Sequence, residues 1–275
     1  MILSLQYDGG RNEMDKLIEK QAGTIIGMVH CLPLPGSPGF DGDYNKILNQ
    51  AVEDALTLEK AGVDAVIIEN MGDTPFTALL NKTQVTALTA AAMAVRDKIS
   101  IPFGIDAAFN DCEVSIAIAA ITGASFVRIP VFVDTVLFSD GIIYPCANKC
   151  MSTRKNLHAE HVKILADVQV KHSTMLSSNI SIEQSAKDAV SNGADGILVT
   201  GSAIGVETPI EMIKRVQKVV NVPVLAASGV NAHNIKEQLQ IADGCIIGSS
   251  LKKGGVISNP IDYDLVCEVV SAYRK

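Results

Sequence analysis

Along this chain, short runs rich in Val, Ile, Leu and Ala alternate with longer stretches in which apolar residues return every three or four positions. The short runs predict strands at 24–30, 65–70, 102–109, 126–131, 163–171, 196–201, 222–228 and 244–249. The longer stretches predict helices over 45–60, 83–97, 112–121, 147–160, 182–191, 209–219, 232–240 and 261–273. In the first helix Ile47, Leu48, Ala51, Val52, Ala55 and Leu58 follow helical spacing. Strand–helix alternation of this kind is the signature of βαβ units and a parallel sheet.

The units share their punctuation. AGVDAVIIEN at 61–70, TGASFVRIP at 122–130 and NGADGILVTG at 192–201 each put a glycine after a helix and just before a buried run, and IADGCIIGSS at 241–250 is a variant without the first glycine. A glycine there supplies the left-handed cap that ends a helix. GVDAVIIEN also resembles GADGILVTG, and IPFGIDAAFN resembles VPVLAASGVN, the pattern a duplicated half-barrel would leave. Eight units predict an α/β fold with a single (β/α)8 TIM barrel as one domain over 1–275, in preference to a doubly wound open sheet. A weak helical pattern at 11–22 predicts a short N-terminal helix closing the bottom of the barrel. The segment 131–146 exceeds an ordinary βα loop and is expected to act as a lid, and the Pro- and Gly-rich segment 31–43 is expected to arch over the mouth.

Composition narrows the setting. The chain has 48% hydrophobic and 19% charged residues, enough to bury a large core, and its apolar runs are all too short to span a membrane. A net charge of −7, with no basic block and no Trp, argues against a nucleic-acid partner. The first residues lack the layout of a secretory signal, so a cytoplasmic protein with reduced thiols is expected. Among its six cysteines, Cys146 and Cys150 could contribute to a metal site, but no second pair accompanies them.

In parallel barrels the reactive groups stand at the carboxyl ends of the strands. The polar residues predicted there are His30, Glu69, Asn70, Asp106, Asn110, Arg128, Asp167, Lys171, His172, Thr200, Ser228 and Ser249. Asp106, Arg128 and Asp167 fall in runs apolar enough to be buried, so they must pair with one another or face a solvated site. In KILADVQVKH, alternation puts Leu165, Asp167, Gln169 and Lys171 on one face, and three of those four are polar. A lysine so placed can carry a proton, form a Schiff base once desolvated, or contact a phosphate. His30 can serve as a general base, a metal ligand or a structural histidine.

The last two strands end in Ser228-Gly229 and Gly248-Ser249, each followed by a predicted helical turn. Glycine lets a ligand approach the backbone, and a helix start offers N–H groups to an anion, so these four residues are expected to bind a phosphate. No cofactor is predicted. The spacings H-x-H and H-E-x-x-H are absent and no metal site is assigned, although His30, Glu69, Asp106, Asp167 and His172 leave a divalent metal and a hydrolase reading open.

The stretches IIGMVHCLPLPGSPGFDG, AGVDAVIIENMGDTPF, KILADVQVKHS, GADGILVTGSAIG and ADGCIIGSSLKKGG together resemble the BtpA family, from Ile25 to Lys253. The resemblance implies a barrel of the ribulose-phosphate-binding group and agrees with a phosphorylated small-molecule ligand. The expected function is isomerase- or lyase-type proton transfer on a phosphorylated sugar or related metabolite. In that scheme Lys171 and Asp167 move protons, and Asp106, Arg128 and Glu69 orient the ligand. A non-catalytic assembly factor or ligand sensor on the same barrel is the alternative. Arg154 or Lys155 could reach a ligand from the lid. An apolar barrel exterior also makes a homo-oligomer the expected state.

Overall fold

A computed structural model of the chain describes residues 19–201 and 207–274. Its first half runs β1 (Thr24–His30), α1 (Tyr44–Ala61), β2 (Ala65–Glu69), α2 (Lys82–Arg96), β3 (Phe103–Asp106), α3 (Cys112–Thr122) and β4 (Phe126–Ile129). A hairpin of β5 (Val136–Phe138) and β6 (Gly141–Ile143) follows, then α4 (Ala147–Asn156), β7 (Lys163–Val168) and the short β8 (Thr174–Met175). The second half continues with α5 (Ile182–Ser191), β9 (Gly196–Val199), α6 (Ile210–Gln217), β10 (Val224–Ala226), α7 (Ile235–Leu239), β11 (Gly244–Ile247) and α8 (Tyr263–Arg274). Eight parallel strands close into a TIM barrel in the order β1-β11-β10-β9-β7-β4-β3-β2. The expected helix over 11–22 falls largely outside the described residues, of which 19–21 bend and turn into β1.

Local signals set the helix boundaries. Asp43, Asp111 and Ser181 accept backbone N–H bonds as N-caps, and Asn81 with Gln84 forms a reciprocal capping box. Gly62, Gly123 and Gly193, the punctuation glycines, take φ of 95°, 77° and 98°, a region that side chains disfavour. The helix expected to reach 160 stops at Asn156, because the chain turns through His158 at φ 53° and closes Ala159 N–H onto the Arg154 carbonyl.

Period-two alternation sorts the strand side chains into two cores. Outward-facing residues such as Ile25, Val66 and Ile105 pack under the helices. Inward-facing residues, among them Ile26, Met28, Ile67, Phe126, Leu165 and Ile246, fill the barrel. Phe126 fits because β3 offers Gly104 beside it: a Cβ there would lie 2.4 Å from the Phe126 ring. One more inward step towards the carboxyl ends reaches His30 on β1, Glu69 on β2, Asp106 on β3, Arg128 on β4 and Asp167 on β7. The same alternation that builds the apolar plug therefore caps it with five ionisable groups.

Candidate active site

The carboxyl ends of the strands surround a cavity of about 310 Å³ lined by His30, Glu69, Asp106, Arg128, Lys171, His172, Ser228, Gly229, Gly248 and Ser249, with an apolar contribution from Phe76, Phe109 and Phe138. Nine of the ten residues expected to do the chemistry or hold the phosphate thus line a single space. The exception is Asp167, which lies beneath it, 1% exposed, with both carboxylate oxygens taken by Arg128. Arg128 Nε donates to Asp167 Oδ2 at 2.9 Å and its Nη2 donates to Oδ1 at 3.0 Å. This fork holds the guanidinium rigidly and leaves its Nη1 3.6 Å from Asp106 Oδ2. Burial works against the Arg128 charge, but Asp167 and Asp106 outweigh it and keep the group cationic.

Asp106 is 1% exposed, and its Oδ1 has no hydrogen-bond partner. Burial, reinforced by the charge of Glu69, drives its carboxyl well above the usual range in spite of Arg128. Glu69 goes the other way. Burial opposes its charge, but a hydrogen bond from His30 and the charges of His30, Arg128 and Lys171 hold its pKa down. His30 Nε2 stands 3.4 Å from Glu69 Oε2, and its buried Nδ1 is unpartnered. For Lys171, burial and then the Arg128 charge lower the pKa to about 8. His172 is lowered by burial and by the same two cations. Two carboxyls a strand apart are thus pushed in opposite directions, beside a lysine lowered to about 8.

Lys171 reaches the cavity by a route that alternation does not describe. β7 ends at Val168, and Gln169, at φ 49°, turns its amide away to donate to the Ile180 carbonyl at 3.0 Å. Gln169 N–H is held by Asp134 Oδ2 at 2.8 Å, and Asp134 Oδ1 accepts from Ser185 Oγ at 2.7 Å. Lys171 N–H in turn donates to Thr200 Oγ1 at 3.1 Å. The shared face expected for Asp167, Gln169 and Lys171 is therefore corrected: the chain kinks after Val168, and Lys171 arrives above the ring.

Several other expectations change at this level. None of the described residues lining the cavity comes from 31–43, because that segment is drawn down onto the β2–α2 connection. There Asp73, 3% exposed, accepts from Leu34 N–H at 2.7 Å and from the Asn70 and Gln84 side chains, each at 2.8 Å. Asn70 and Asn110 are brackets: Asn70 Oδ1 accepts from Ala108 N–H at 2.8 Å, and Asn110 Oδ1 from Val131 N–H at 2.9 Å. Arg154 sits at the opposite end of the barrel, bound to Asp195 at 2.8 Å, and Lys155 pairs with Glu160 on the surface. Cys112 joins Cys146 and Cys150, whose thiol hydrogen bonds hold its pKa down. Among the described residues, no three His, Cys, Asp or Glu side chains are placed to hold a metal ion.

On the opposite wall, Ser228 Oγ accepts from Gly201 N–H at 2.8 Å, and Gly229 takes φ 69°. The helix expected from 232 starts only at Ile235, because Asn231 and Asn234 fold the preceding turn onto themselves. Asn234 Oδ1 accepts from Asn231 N–H at 2.8 Å, and Asn231 Oδ1 accepts from His233 N–H at 2.9 Å. The β11 turn instead opens a 3₁₀ helix, Ser249–Leu251, whose first N–H groups have no intrahelical carbonyl to meet. Gly248 is pressed against His30, to whose Cε1 a Cβ would come within 3.0 Å.

The aromatic wall and the two bracing aspartates, Asp73 holding the 31–43 segment and Asp134 holding the turn at Gln169, carry no motif. The available signal was that Phe109 ends a predicted strand and Phe138 falls in the long segment 131–146; three of the chain's seven phenylalanines gather at this mouth.

The sequence profile of the BtpA family matches residues 21–275. The chain is 39% identical over 241 residues to an uncharacterized protein of Pyrococcus furiosus, covering 87% of this chain and 90% of that one. It is 34% identical over 241 residues to the photosystem I biogenesis protein BtpA of Synechocystis sp., covering 86% and 83%. Among solved structures, tryptophan synthase of Mycobacterium tuberculosis matches with a TM-score of 0.62 at 15% identity, covering 96% of this chain and 97% of that one. (S)-3-O-geranylgeranylglyceryl phosphate synthase from Thermoplasma acidophilum, in complex with its substrate sn-glycerol-1-phosphate, matches with a TM-score of 0.59 at 14% identity, covering 92% and 93%. At such identities the likeness is one of fold.

Proposed function

The chain belongs to the BtpA family, and from that premise we propose that it is an enzyme acting on a phosphorylated sugar or related small metabolite, by proton transfer of the isomerase or lyase type. The observation that carries this reading is the pairing of opposed titrations in one cavity: Asp106 pushed towards its neutral acid, and Lys171 lowered to about 8. A neutral lysine amine can take a proton from a hydroxyl-bearing carbon next to a carbonyl, while a protonated Asp106 donates to that carbonyl oxygen, giving an enediol. Return of the lysine's proton to the former carbonyl carbon, with the other hydroxyl giving its proton back to Asp106, completes an isomerisation; expulsion of a β-substituent with its bonding pair, protonated by Lys171, completes an elimination instead. Arg128, braced by Asp167, supplies a fixed positive charge beside the developing oxyanion, and His30 with Glu69 orients a neighbouring hydroxyl. Asp167 thereby acts by positioning, and the acid role falls to Asp106. The turns at Ser228-Gly229 and Gly248-Ser249 hold the phosphate, as the corresponding turns do in many barrels.

The Synechocystis relative's name supports a second reading, a non-catalytic assembly factor that keeps the pocket as a sensor. A thermal-shift screen with sugars and their phosphates, followed by turnover assays on the hits, separates the two. A ligand at about a hundred times its Kd adds roughly 2.7 kcal/mol, several degrees in Tm. The enzyme reading expects a shift that requires the phosphate, is lost in Gly248→Val, and is accompanied by turnover. A phosphate-dependent shift without turnover transfers the weight to the sensor. No such shift on a broad panel sinks the phosphate site.

A further inference from the structure

The chemistry of the cavity wall changes from one side of the barrel to the other. In the closed order of strands, β10 and β11, which carry the glycine turns, stand diametrically opposite β3 and β4. Over β3 and β4 sits an apolar cluster separate from both barrel cores, built from Phe109, Val131, Val136, Ile143 and Val170. The hairpin of β5 and β6 contributes to it and is tied to β8, so this cluster is the underside of the lid. The rings of Phe109 and Phe138 lie parallel, 3.9 Å apart between centroids at an interplanar angle of 1°, and both rings and the neighbouring Phe76 line the cavity. Between the two walls lie His30, Glu69, Asp106, Arg128 and Lys171.

A sugar phosphate alone offers an aromatic wall little more than the C–H edges of its ring to bury. Phe76 and Phe138 are only partly covered, so apolar surface is left open at the mouth. The order of chemistry across the cavity is an order of groups along a ligand: an anion at the glycine turns, hydroxyls or a carbonyl over the charged ring, and a flat apolar group against the phenylalanines. Resting on the phosphosugar reading above, we infer that the substrate is a pentose phosphate carrying an aromatic or heteroaromatic ring at the end remote from the phosphate, and that the lid phenylalanines select it. Flat rings stack on such side chains, whereas a flexible chain makes fewer contacts and loses rotamer freedom when it is held there.

Isothermal titration of the full chain with ribose 5-phosphate, AMP, UMP and hexyl phosphate tests this. At least one of the two nucleotides should bind ten or more times tighter than ribose 5-phosphate and tighter than hexyl phosphate. Phe138→Ala should erase that advantage, so that in the variant the better nucleotide binds no tighter than ribose 5-phosphate, and Phe138→Tyr, which keeps a ring, should retain it. Should Phe138→Ala fail to fold, Phe76→Leu makes the same comparison. Equal affinity for ribose 5-phosphate and both nucleotides overturns the ring specificity and leaves the phosphate site standing. Hexyl phosphate matching the better nucleotide overturns it in favour of a merely greasy wall. Binding of none of the four removes both this inference and the reading on which it rests.

Discussion

Two groups of buried charges in this barrel look alike by composition and differ in completeness. Lys252 and Asp54, 1% and 2% exposed, meet between α1 and the chain that leads into α8. Lys252 Nζ donates to the Asn259 carbonyl at 2.7 Å and lies 3.5 Å from Asp54 Oδ2. Asp54 Oδ1 accepts from Ile261 N–H at 2.8 Å and from Gln50 Nε2 at 2.9 Å. That pair is closed: one cation, one anion, and their polar atoms used. At the mouth, by contrast, Glu69, Asp106, Asp167, Arg128 and Lys171 crowd together, and Asp106 Oδ1 and His30 Nδ1 remain unpartnered. Buried polar groups are ordinarily satisfied; Gln238 Oε1 is also unpartnered but lies away from the cavity, whereas Asp106 and His30 both line it. Burial of charge alone does not distinguish a staple from a site.

The sharpest way to break this comparison is to remove one charge from each side. Lys171→Ala should lower kcat/KM by roughly 10²–10⁴-fold on an identified phosphorylated substrate, with Tm held or slightly raised. The pH profile belongs to the same experiment. If the proposed reaction holds, kcat/KM of the native protein should rise through about pH 8 as Lys171 loses its proton, and that limb should vanish in the variant. Unfolded lysine titrates higher than folded Lys171. The unfolded chain therefore binds more protons from about pH 8 to about 10.4, stability gains with pH across that window, and the alanine variant should lack the gain. A flat profile in the native enzyme would sink the base assignment.

Asp54→Ala should show the opposite pattern. It strands the Lys252 charge in the interior, at a cost of about 3–5 kcal/mol and roughly 10 °C in Tm, while ligand affinity stays within twofold. A large loss of affinity would mean that the staple and the site are coupled.

The smallest effect is the most diagnostic. Asp106 is raised, so the native state holds a proton that the unfolded chain releases, and the group's contribution to stability falls as pH climbs from the ordinary carboxyl range through its elevated value. Asp106→Asn should therefore raise Tm at neutral pH by roughly 2–4 °C, with the gain fading in acid, and should still impair turnover. A Tm that drops at every pH would make Asp106 a structural partner of Arg128.

Much of this was legible along the chain. Strand–helix alternation, helped by the recurring Gly before several of the buried runs, located all eight barrel strands, because the period of side-chain burial is a local property of each strand or helix. Five of the six residues expected to be reactive were chosen by one rule, that polar groups ending apolar strands have no packing reason to be there, and those five do stand on the inward parity at the strand ends. The sixth, Lys171, was found on a mistaken premise, since continued alternation does not survive the turn at Gln169.

What the sequence by itself determined is therefore the architecture and the ring: which elements form, which parity faces inward, and that the inward parity ends in His, Glu, Asp, Arg and Asp. These follow from backbone periodicity and from the cost of burying charge. Only the tertiary structure decided how those groups divide their work. The Arg128–Asp167 fork, the free oxygen on Asp106, the Asp73 and Asp134 brackets and the aromatic underside of the lid all join residues far apart in the chain. Closing the barrel sets the distances between strand ends, and electrostatics and hydrogen bonding depend on those distances.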